Sequence, residues 1–226
     1  MSRPGHVRPG DDGADDPDPI QSHTDAGAET RAGRRFTRVA CCSGHMIDRH
    51  DRPSPRFPEG KEEAVRAAMA EVLDRWGIGR GDLAVSGGAR GADILFAELC
   101  LERGAWVRLL IALPDEQFIA RSVRLPGTDW EKRYRRLRQR CETWHRPCGE
   151  LPAPGTRSGP AMTDTNHWIL ATCRAEAAPD PFLALLVWDE QGTGDGPGGT
   201  ADFAAEARRL GGEVVIVNPM LLGGDA

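Results

Sequence analysis

The sequence predicts an α/β fold in which one parallel sheet of five or six strands carries helices on both faces. Three observations lead to this prediction. From Phe36 onward, short apolar runs alternate with amphipathic segments, as they do where helices connect parallel strands. Residues 106–113 are almost continuously apolar, which is typical of a strand buried on both faces. Glycine clusters follow two of the apolar runs, at points where a strand would pass into a helix.

Periodicity and stop signals place the elements in order. Short apolar runs predict strands at residues 36–43, 83–85, 106–113, 182–188 and 214–217, and residues 142–145 are a candidate for a further short strand. Apolar residues that recur every three or four positions predict helices at residues 62–76, 92–103, 115–123, 129–140, 165–177 and 201–210. Gly77 and Gly211 fit the ends of two of these helices, and the glycines and prolines between residues 147 and 160 predict a loop. This is the order of a Rossmann-like domain, which we expect to span residues 35–226 as a single unit.

Residues 1–34 differ in composition from the rest of the chain. Aspartates at positions 11, 12, 15, 16 and 18 lie among prolines and glycines, with few apolar side chains between them. Such a segment buries too little apolar surface to offset the entropy that is lost on ordering. We therefore expect an acidic, disordered tail ahead of the folded domain.

Composition narrows the class of protein. The chain has 226 residues, a formal net charge of -5 and six cysteines. The negative charge argues against nucleic acid as the partner, because phosphate neutralisation normally needs a basic face. No run approaches the roughly 18 apolar residues of a membrane span, and the N-terminus lacks the apolar core of a secretory signal. We expect a cytoplasmic protein that has reduced cysteines and no membrane partner.

The first glycine cluster lies between the strand at 83–85 and the helix that follows it. The amides of a helix N-terminus attract anions, and glycine lets a phosphate approach them closely. Gly87, Gly88 and Gly91 are therefore predicted to form a phosphate cradle, with Arg90 placed to reach an anionic group and Asp93 to cap the helix. The alternative is that the glycines only make a tight turn.

The second glycine cluster, at residues 192–200, lies between a buried strand and the last helix. Gly198, Gly199 and Thr200 are its predicted ligand-binding residues, and Thr200 can also cap the helix. The carboxyl ends of parallel strands share one edge of a sheet, so both clusters are expected to face one crevice. Neither cluster continues as Gly-Lys-Ser/Thr, which argues against magnesium-dependent NTP hydrolysis, and we expect no resident cofactor.

Polar residues also follow the first strand. Ser43, Gly44 and His45 come at its carboxyl end, from which side chains reach a ligand in this fold class. His45 is predicted to donate a hydrogen bond to a phosphate or a ribose, although a histidine here could equally pack the loop. Asp48 and Arg56 are expected to pair with each other and to hold that loop.

Two further clusters have structural explanations. Cys141, His145 and Cys148 are thiolate and imidazole ligands of the kind zinc prefers, but no fourth ligand follows, so free thiols are favoured and no metal is expected. Residues 121–146 are rich in arginine. This stretch is interpreted as the solvated face of a helix, with contact to nucleic acid as the alternative.

A family resemblance extends from the first strand to the second glycine cluster. The residues that carry it are at positions 43–48, 56–58, 86–93, 113–114, 118, 122–123, 166, 168, 188–189 and 195–202. In these residues the chain resembles the SLOG superfamily, over about four-fifths of its length. That superfamily includes the DNA-processing protein A group, the LOG phosphoribohydrolases and bacterial sensors of nucleotide-derived signals. The resemblance implies a Rossmann-like domain that binds such a ligand.

One departure from the family bears on activity. The LOG enzymes carry PGGxGT followed by a glutamate that acts in cleaving the N-glycosidic bond. Here Pro197 to Thr200 read PGGT, and the nearest carboxylates, Asp202 and Glu206, are not at that spacing. The resemblance therefore implies a retained cradle and predicts no catalytic residue.

The expected function is that of a signalling sensor for a nucleotide, an ADP-ribose-like molecule or a cyclic nucleotide. Its output would pass through a separate effector protein or through a homo-oligomer. A nucleotide N-glycosidase that uses Asp202 or Glu206 is the alternative, and DNA binding is a third interpretation, which the net charge disfavours.

Deletion of residues 1–34 should leave the melting temperature of the remaining chain within a few degrees of the full-length value, because a polar tail contributes few native contacts. Scanning calorimetry of both forms measures this. A large fall would show that the tail packs on the domain.

Overall fold

The computed structural model describes residues 35–145, 160–191 and 199–223. Those residues contain six strands: β1 (Val39–Gly44), β2 (Leu83–Ser86), β3 (Trp106–Ile111), β4 (Glu142–His145), β5 (Leu183–Val187) and β6 (Glu213–Val217). The helices are α1 (Glu62–Trp76), α2 (Ala92–Glu102), α3 (Asp115–Phe118), α4 (Trp130–Arg140), α5 (Pro160–Ala177) and α6 (Thr200–Arg209). All the strands are parallel and form one sheet in the order β4-β3-β2-β1-β5-β6.

Helices cover both faces of the sheet, as predicted. Side chains alternate along β1, so Cys42 packs in the core under α1, α2 and α4, while Cys41 packs in the core under α5 and α6. Both thiols are fully buried. The fold is therefore a Rossmann-like α/β sandwich of three layers, with two hydrophobic cores.

Most element bounds lie within a few residues of the sequence prediction, and α1 matches it at both ends. Gly77 ends α1 with a φ of 65°, and its amide donates to the carbonyl oxygens of Asp74 and Leu73. The predicted helix at 115–123 is α3 followed by a π-helical turn at Ile119–Val123. Helix α5 begins earlier than predicted, at Pro160, and the loop expected before it lies outside the described residues.

The strand order places a topological switch point at β1. Strand β1 pairs with β2 on one side and with β5 on the other, so the connections that leave the carboxyl ends of β1 and β5 run to opposite sides of the sheet. In open α/β sheets, ligands bind in the crevice outside the strand ends at this point. In this fold, a ligand site is therefore expected among the residues that follow Gly44 and Val187.

The arginines of the basic stretch are largely engaged in ion pairs. Arg133 bridges Glu62 and Glu98 at 2.5 and 2.6 Å and lies 4.0 Å over the ring of Trp130. Other pairs join Arg124 and Arg135 to Glu131, and Arg138 to Asp115. This arrangement favours the structural interpretation of the stretch over a nucleic-acid surface.

No helix in the described part of the chain has the length and apolar character needed to cross a membrane.

Candidate functional site

The carboxyl ends of β1 and β5 lie in close contact. Gly44 ends β1, and a Cβ at this position would lie 2.6 Å from the carbonyl oxygen of Val187 and 2.9 Å from the Cβ of Ala92. Only glycine fits here without displacement, because β5 and α2 approach from two sides. The chain then continues into His45, whose amide donates to the Val187 carbonyl at 2.9 Å. Ser43, also predicted for the site, lies half-buried in β1.

A buried histidine and aspartate face each other across the switch point. The Nε2 atom of His45 lies 3.0 Å from Oδ1 of Asp189, and the two residues are only 7% and 4% exposed. Oδ1 also accepts the amide of Gln191 at 3.1 Å. The sequence analysis includes Asp189 among the residues of the family resemblance but not among the predicted site residues. The one sequence feature that points to it is its position just after a buried strand.

The environment of this pair sets its protonation. Burial lowers the pKa of His45 and outweighs the hydrogen bond to Asp189. Burial alone would raise the pKa of Asp189, but hydrogen bonds from His45 and the Gln191 amide lower it below its usual value. At neutral pH the imidazole is therefore neutral, and it donates from Nε2 to an ionised carboxylate.

The same geometry determines what the other ring nitrogen does. The amide of Asp189 also lies 3.3 Å from Nε2, but the shorter contact with a charged acceptor decides where the proton resides. With Nε2 protonated, Nδ1 of the neutral ring is an acceptor. The sequence prediction that His45 donates to a ligand stays a prediction, and this tautomer favours acceptance at Nδ1.

Asp48 organises the loop that carries His45. One of its carboxylate oxygens accepts the amides of Arg56 and Phe57, both at 2.7 Å, and the other lies 3.2 Å from Nε of Arg52. The predicted contact between Asp48 and Arg56 thus includes the backbone of Arg56. These bonds close the turn from residue 48 to residue 57 and fix the path of the preceding segment.

Gly91 is the second fixed point of this loop. Its φ is 90°, and a Cβ there would lie 2.6 Å from the amide nitrogen of Ile47 and 2.9 Å from the carbonyl oxygen of His45. The amide of Ala92 donates to the same His45 oxygen at 3.3 Å. Gly91 therefore allows the start of α2 to pack directly against the backbone of residues 45–47.

Several amides of the first glycine cluster are satisfied inside the protein. The amide of Gly88 donates to the Ser86 hydroxyl at 3.3 Å, that of Ala89 to the Asp93 carboxylate at 3.1 Å, and that of Arg90 to the Ser122 carbonyl at 2.9 Å. These bonds favour the tight-turn interpretation for this segment. Asp93 was expected to cap the helix, but the N-cap of α2 is Gly91, and the Asp93 carboxylate accepts the Ala89 amide of the preceding turn instead.

The glycines of this turn have packing roles. A Cβ at Gly87 would lie 2.9 Å from the Asp93 carboxylate, and Gly88 has a φ of 78°. Burial raises the pKa of Asp93 to about 7, against the opposing effect of the Ala89 amide.

Arg90 is the buried cation of the site. It is 7% exposed, and its Nε donates to the carbonyl oxygen of Ile47 at 3.2 Å. Within the described ranges, no carboxylate forms an ion pair with it. Burial and the nearby Arg49 lower the pKa of Arg90, and Asp48 opposes them from a distance. Arg90, which the sequence predicts to reach an anionic group, therefore lies close to the segment that follows β1.

The second glycine cluster is described only in part. Residues 192–198, including Gly198, lie outside the described residues. Gly199 is the N-cap of α6, with φ -73° and ψ -176°, and its carbonyl accepts the amide of Phe203 at 3.1 Å. Thr200 is the first residue of α6, and Asp202 lies in its first turn.

Two other predicted groups can be placed. Glu206 forms two hydrogen bonds with the exposed Arg209, at 2.6 and 2.7 Å, which commits this carboxylate to the surface of α6. Cys148 falls outside the described residues, and the part of the chain that is described holds no His, Cys, Asp and Glu group arranged to bind a metal. His145 instead lies 3.2 Å from Arg138.

Replacing Gly91 by alanine should cost about 2 kcal/mol more unfolding free energy than replacing Gly104. Both glycines have positive φ, but only the new methyl group at position 91 meets backbone atoms, and nothing lies within 4 Å of one at position 104. Urea denaturation of both variants measures the difference. Equal losses of unfolding free energy in the two variants would show that residues 45–47 move away from the new methyl group without cost.

Asp93→Asn should flatten the dependence of stability on pH. The folded-state pKa of about 7 is above the ordinary value of 3.8 for an aspartate, so the stability contributed by the protonated form is present below about pH 4 and is lost as the pH rises through 7. The variant should therefore gain stability relative to wild type between these values. Urea denaturation from pH 4 to pH 8 measures the gain, with Asp51→Asn as the exposed control.

The proteins that this chain resembles are solved structures of similar fold. No family model matches the chain, and no curated protein matches it either. DNA processing protein A from Streptococcus pneumoniae matches at a TM-score of 0.44 and 15% identity, covering 80% of this chain and 50% of that one. The Moco carrier protein from Chlamydomonas reinhardtii matches at a TM-score of 0.28 and 11% identity, covering 81% and 91%. The chain thus spans about half the length of the first of these proteins, and the Rossmann-like assignment rests on the sheet topology.

Proposed function

We propose that this chain binds a phosphate-bearing nucleotide derivative in the crevice at the ends of β1 and β5, and that it acts as a sensor of that ligand. The observation that carries the proposal is the buried Arg90, which has no ion pair among the described residues and lies beside the switch point. The proposed setting is the cytoplasm, with output through an effector protein or through self-association.

An uncompensated buried arginine favours an anionic ligand on energetic grounds. Taking a guanidinium out of water costs several kcal/mol unless hydrogen bonds and an opposite charge replace the lost hydration. The Ile47 carbonyl satisfies only Nε, which leaves the two terminal nitrogens for a ligand. A phosphate accepts the paired hydrogen bonds that a guanidinium donates, so it fits this position.

The two helices that follow the strand ends support the same ligand. Helices α2 and α6 begin at Ala92 and Thr200, on the carboxyl side of the sheet, and their N-termini carry partial positive charge. Gly199 is the N-cap of α6 and has no side chain to bond the first amides of the helix, which is the arrangement found where an anion approaches a helix N-terminus.

The rival functions receive less support. An N-glycosidase needs a carboxylate beside the ribose, and Glu206 is held by Arg209 on the surface of α6. DNA binding needs uncompensated surface cations, whereas the arginines of α4 are mostly paired with carboxylates. Binding without turnover is therefore the function that the site supports best.

Arg90→Met should weaken nucleotide binding by about 10- to 100-fold, because it removes the charge-assisted hydrogen bonds and keeps the apolar stem. Its unfolding free energy should change by only about 1 kcal/mol, since an unpaired buried charge is also removed. Calorimetric titration of AMP, ADP-ribose and NAD into wild type and variant measures the affinities, and chromatography of the mixtures detects any released base.

Arg133→Met is the matched control. Arg133 is paired with Glu62 and Glu98, so its loss should cost about 2 kcal/mol or more in stability and leave binding unchanged. The proposal is overturned if wild type binds none of the three nucleotides. Release of free base by wild type would establish the glycosidase instead.

A further inference from the structure

The His45 ring offers one uncommitted acceptor to the crevice. Nε2 is fixed by Asp189 at 3.0 Å, and Nδ1 has no hydrogen-bond partner in the part of the chain that the structure describes. The backbone on both sides is also held, by the Val187 carbonyl and by the amide of Ala92. The ring therefore keeps one orientation, with a lone pair on Nδ1 that only an external donor can satisfy.

An acceptor at this point discriminates between ligand groups. A phosphate oxygen carries no proton, so it meets the Nδ1 lone pair with repulsion, whereas a hydroxyl group donates to it. The orientation of the ring thus excludes the anionic part of a ligand from Nδ1. The anion is left to Arg90, whose guanidinium has the complementary character.

The two groups are anchored on the same backbone segment. Arg90 donates to the carbonyl of Ile47, two residues beyond His45. Gly91, the neighbour of Arg90, packs against the backbone of residues 45–47. An anion site and a hydroxyl acceptor on one segment are the two groups that a ribose 5′-phosphate requires, because its sugar hydroxyls are a few bonds from its phosphate.

We propose that His45, held by Asp189, is the acceptor for a ribose hydroxyl of the ligand and makes the site selective for ribonucleotides over their deoxy counterparts. This inference rests on the proposed function, because it assigns a group of the same ligand. Asp189 is a positioning residue in this arrangement. Its negative charge keeps the proton on Nε2 and so keeps Nδ1 free to accept.

Two amide substitutions separate the two nitrogens of the ring. His45→Gln places an amide where Nε2 was, so it retains a donor to Asp189 and loses the acceptor. His45→Asn places its side-chain oxygen near the former Nδ1, so it retains an acceptor and loses the contact with Asp189. If the bond to Asp189 has a purely structural role, His45→Asn should impair the protein more than His45→Gln. If Nδ1 accepts from the ligand, His45→Gln should impair ligand binding more than His45→Asn.

The experiment titrates wild type and both variants with AMP, 2′-deoxy-AMP, 3′-deoxy-AMP, ADP-ribose and 2′-deoxy-ADP-ribose, with thermal melting as the check of folding. Wild type should bind at least one ribonucleotide about tenfold more tightly than a deoxy counterpart. His45→Gln should bind the two forms alike, at the affinity of the deoxy form, and His45→Asn should keep part of the preference.

The other outcomes separate this inference from the function on which it rests. Equal binding of ribo and deoxy forms by wild type overturns the inference and leaves the proposed function in place. Preference retained in His45→Gln also overturns it, since the acceptor then lies elsewhere. Absence of binding to all five nucleotides overturns both. The wild-type comparison needs no variant, so the test holds even if a substitution prevents folding.

Discussion

The buried hydrogen bond between His45 and Asp189 connects the ends of β1 and β5 at the point where the connections of the sheet diverge. A crevice at this position would otherwise be bounded by two unrelated loops, free to separate. The bond fixes one loop against the other inside the protein, where an ionised acceptor and a neutral donor interact strongly. The path of residues 45–47, and with it the position of Arg90, depends on this contact.

Close packing at glycine positions reinforces that contact. Gly44 lets β5 and α2 approach the end of β1, and Gly91 lets α2 meet the loop that follows β1. Gly91 was expected, with Gly87 and Gly88, to bring a phosphate close to backbone amides, but the atoms that approach Gly91 most closely are those of the protein. Gly44 and Gly91 thus position the side chains that we propose recognise the ligand.

The sequence was sufficient for the architecture and insufficient for the site. Apolar runs located β1, β2, β3, β5 and β6, because burial on both faces leaves a long apolar run such as that of β3. Strand β4, which is polar and half-exposed, was predicted only as a possible short strand. The role of Asp189 could not be predicted from the sequence, because its partner His45 is 144 positions away and only the strand order brings the two together. The use of the Arg90 amide depended in the same way on the carbonyl of Ser122, which no local pattern identifies.

Charge pairing distinguishes the arginines that stabilise the fold from the one that we propose recognises a ligand. Arg108, deep in β3, is satisfied by Glu142 and Glu176 and lies 3.9 Å over the ring of Trp144, and Arg103 is held by Asp74. Each of these arginines lies in a place where an unpaired charge would destabilise the protein, and each has a carboxylate. Arg90 is 7% exposed and Arg108 5%, but among the described residues Arg90 is held by a carbonyl oxygen and has no carboxylate. In the proposed function the opposite charge comes from the ligand, and the position of Arg90 beside the switch point is where ligands bind in open α/β sheets.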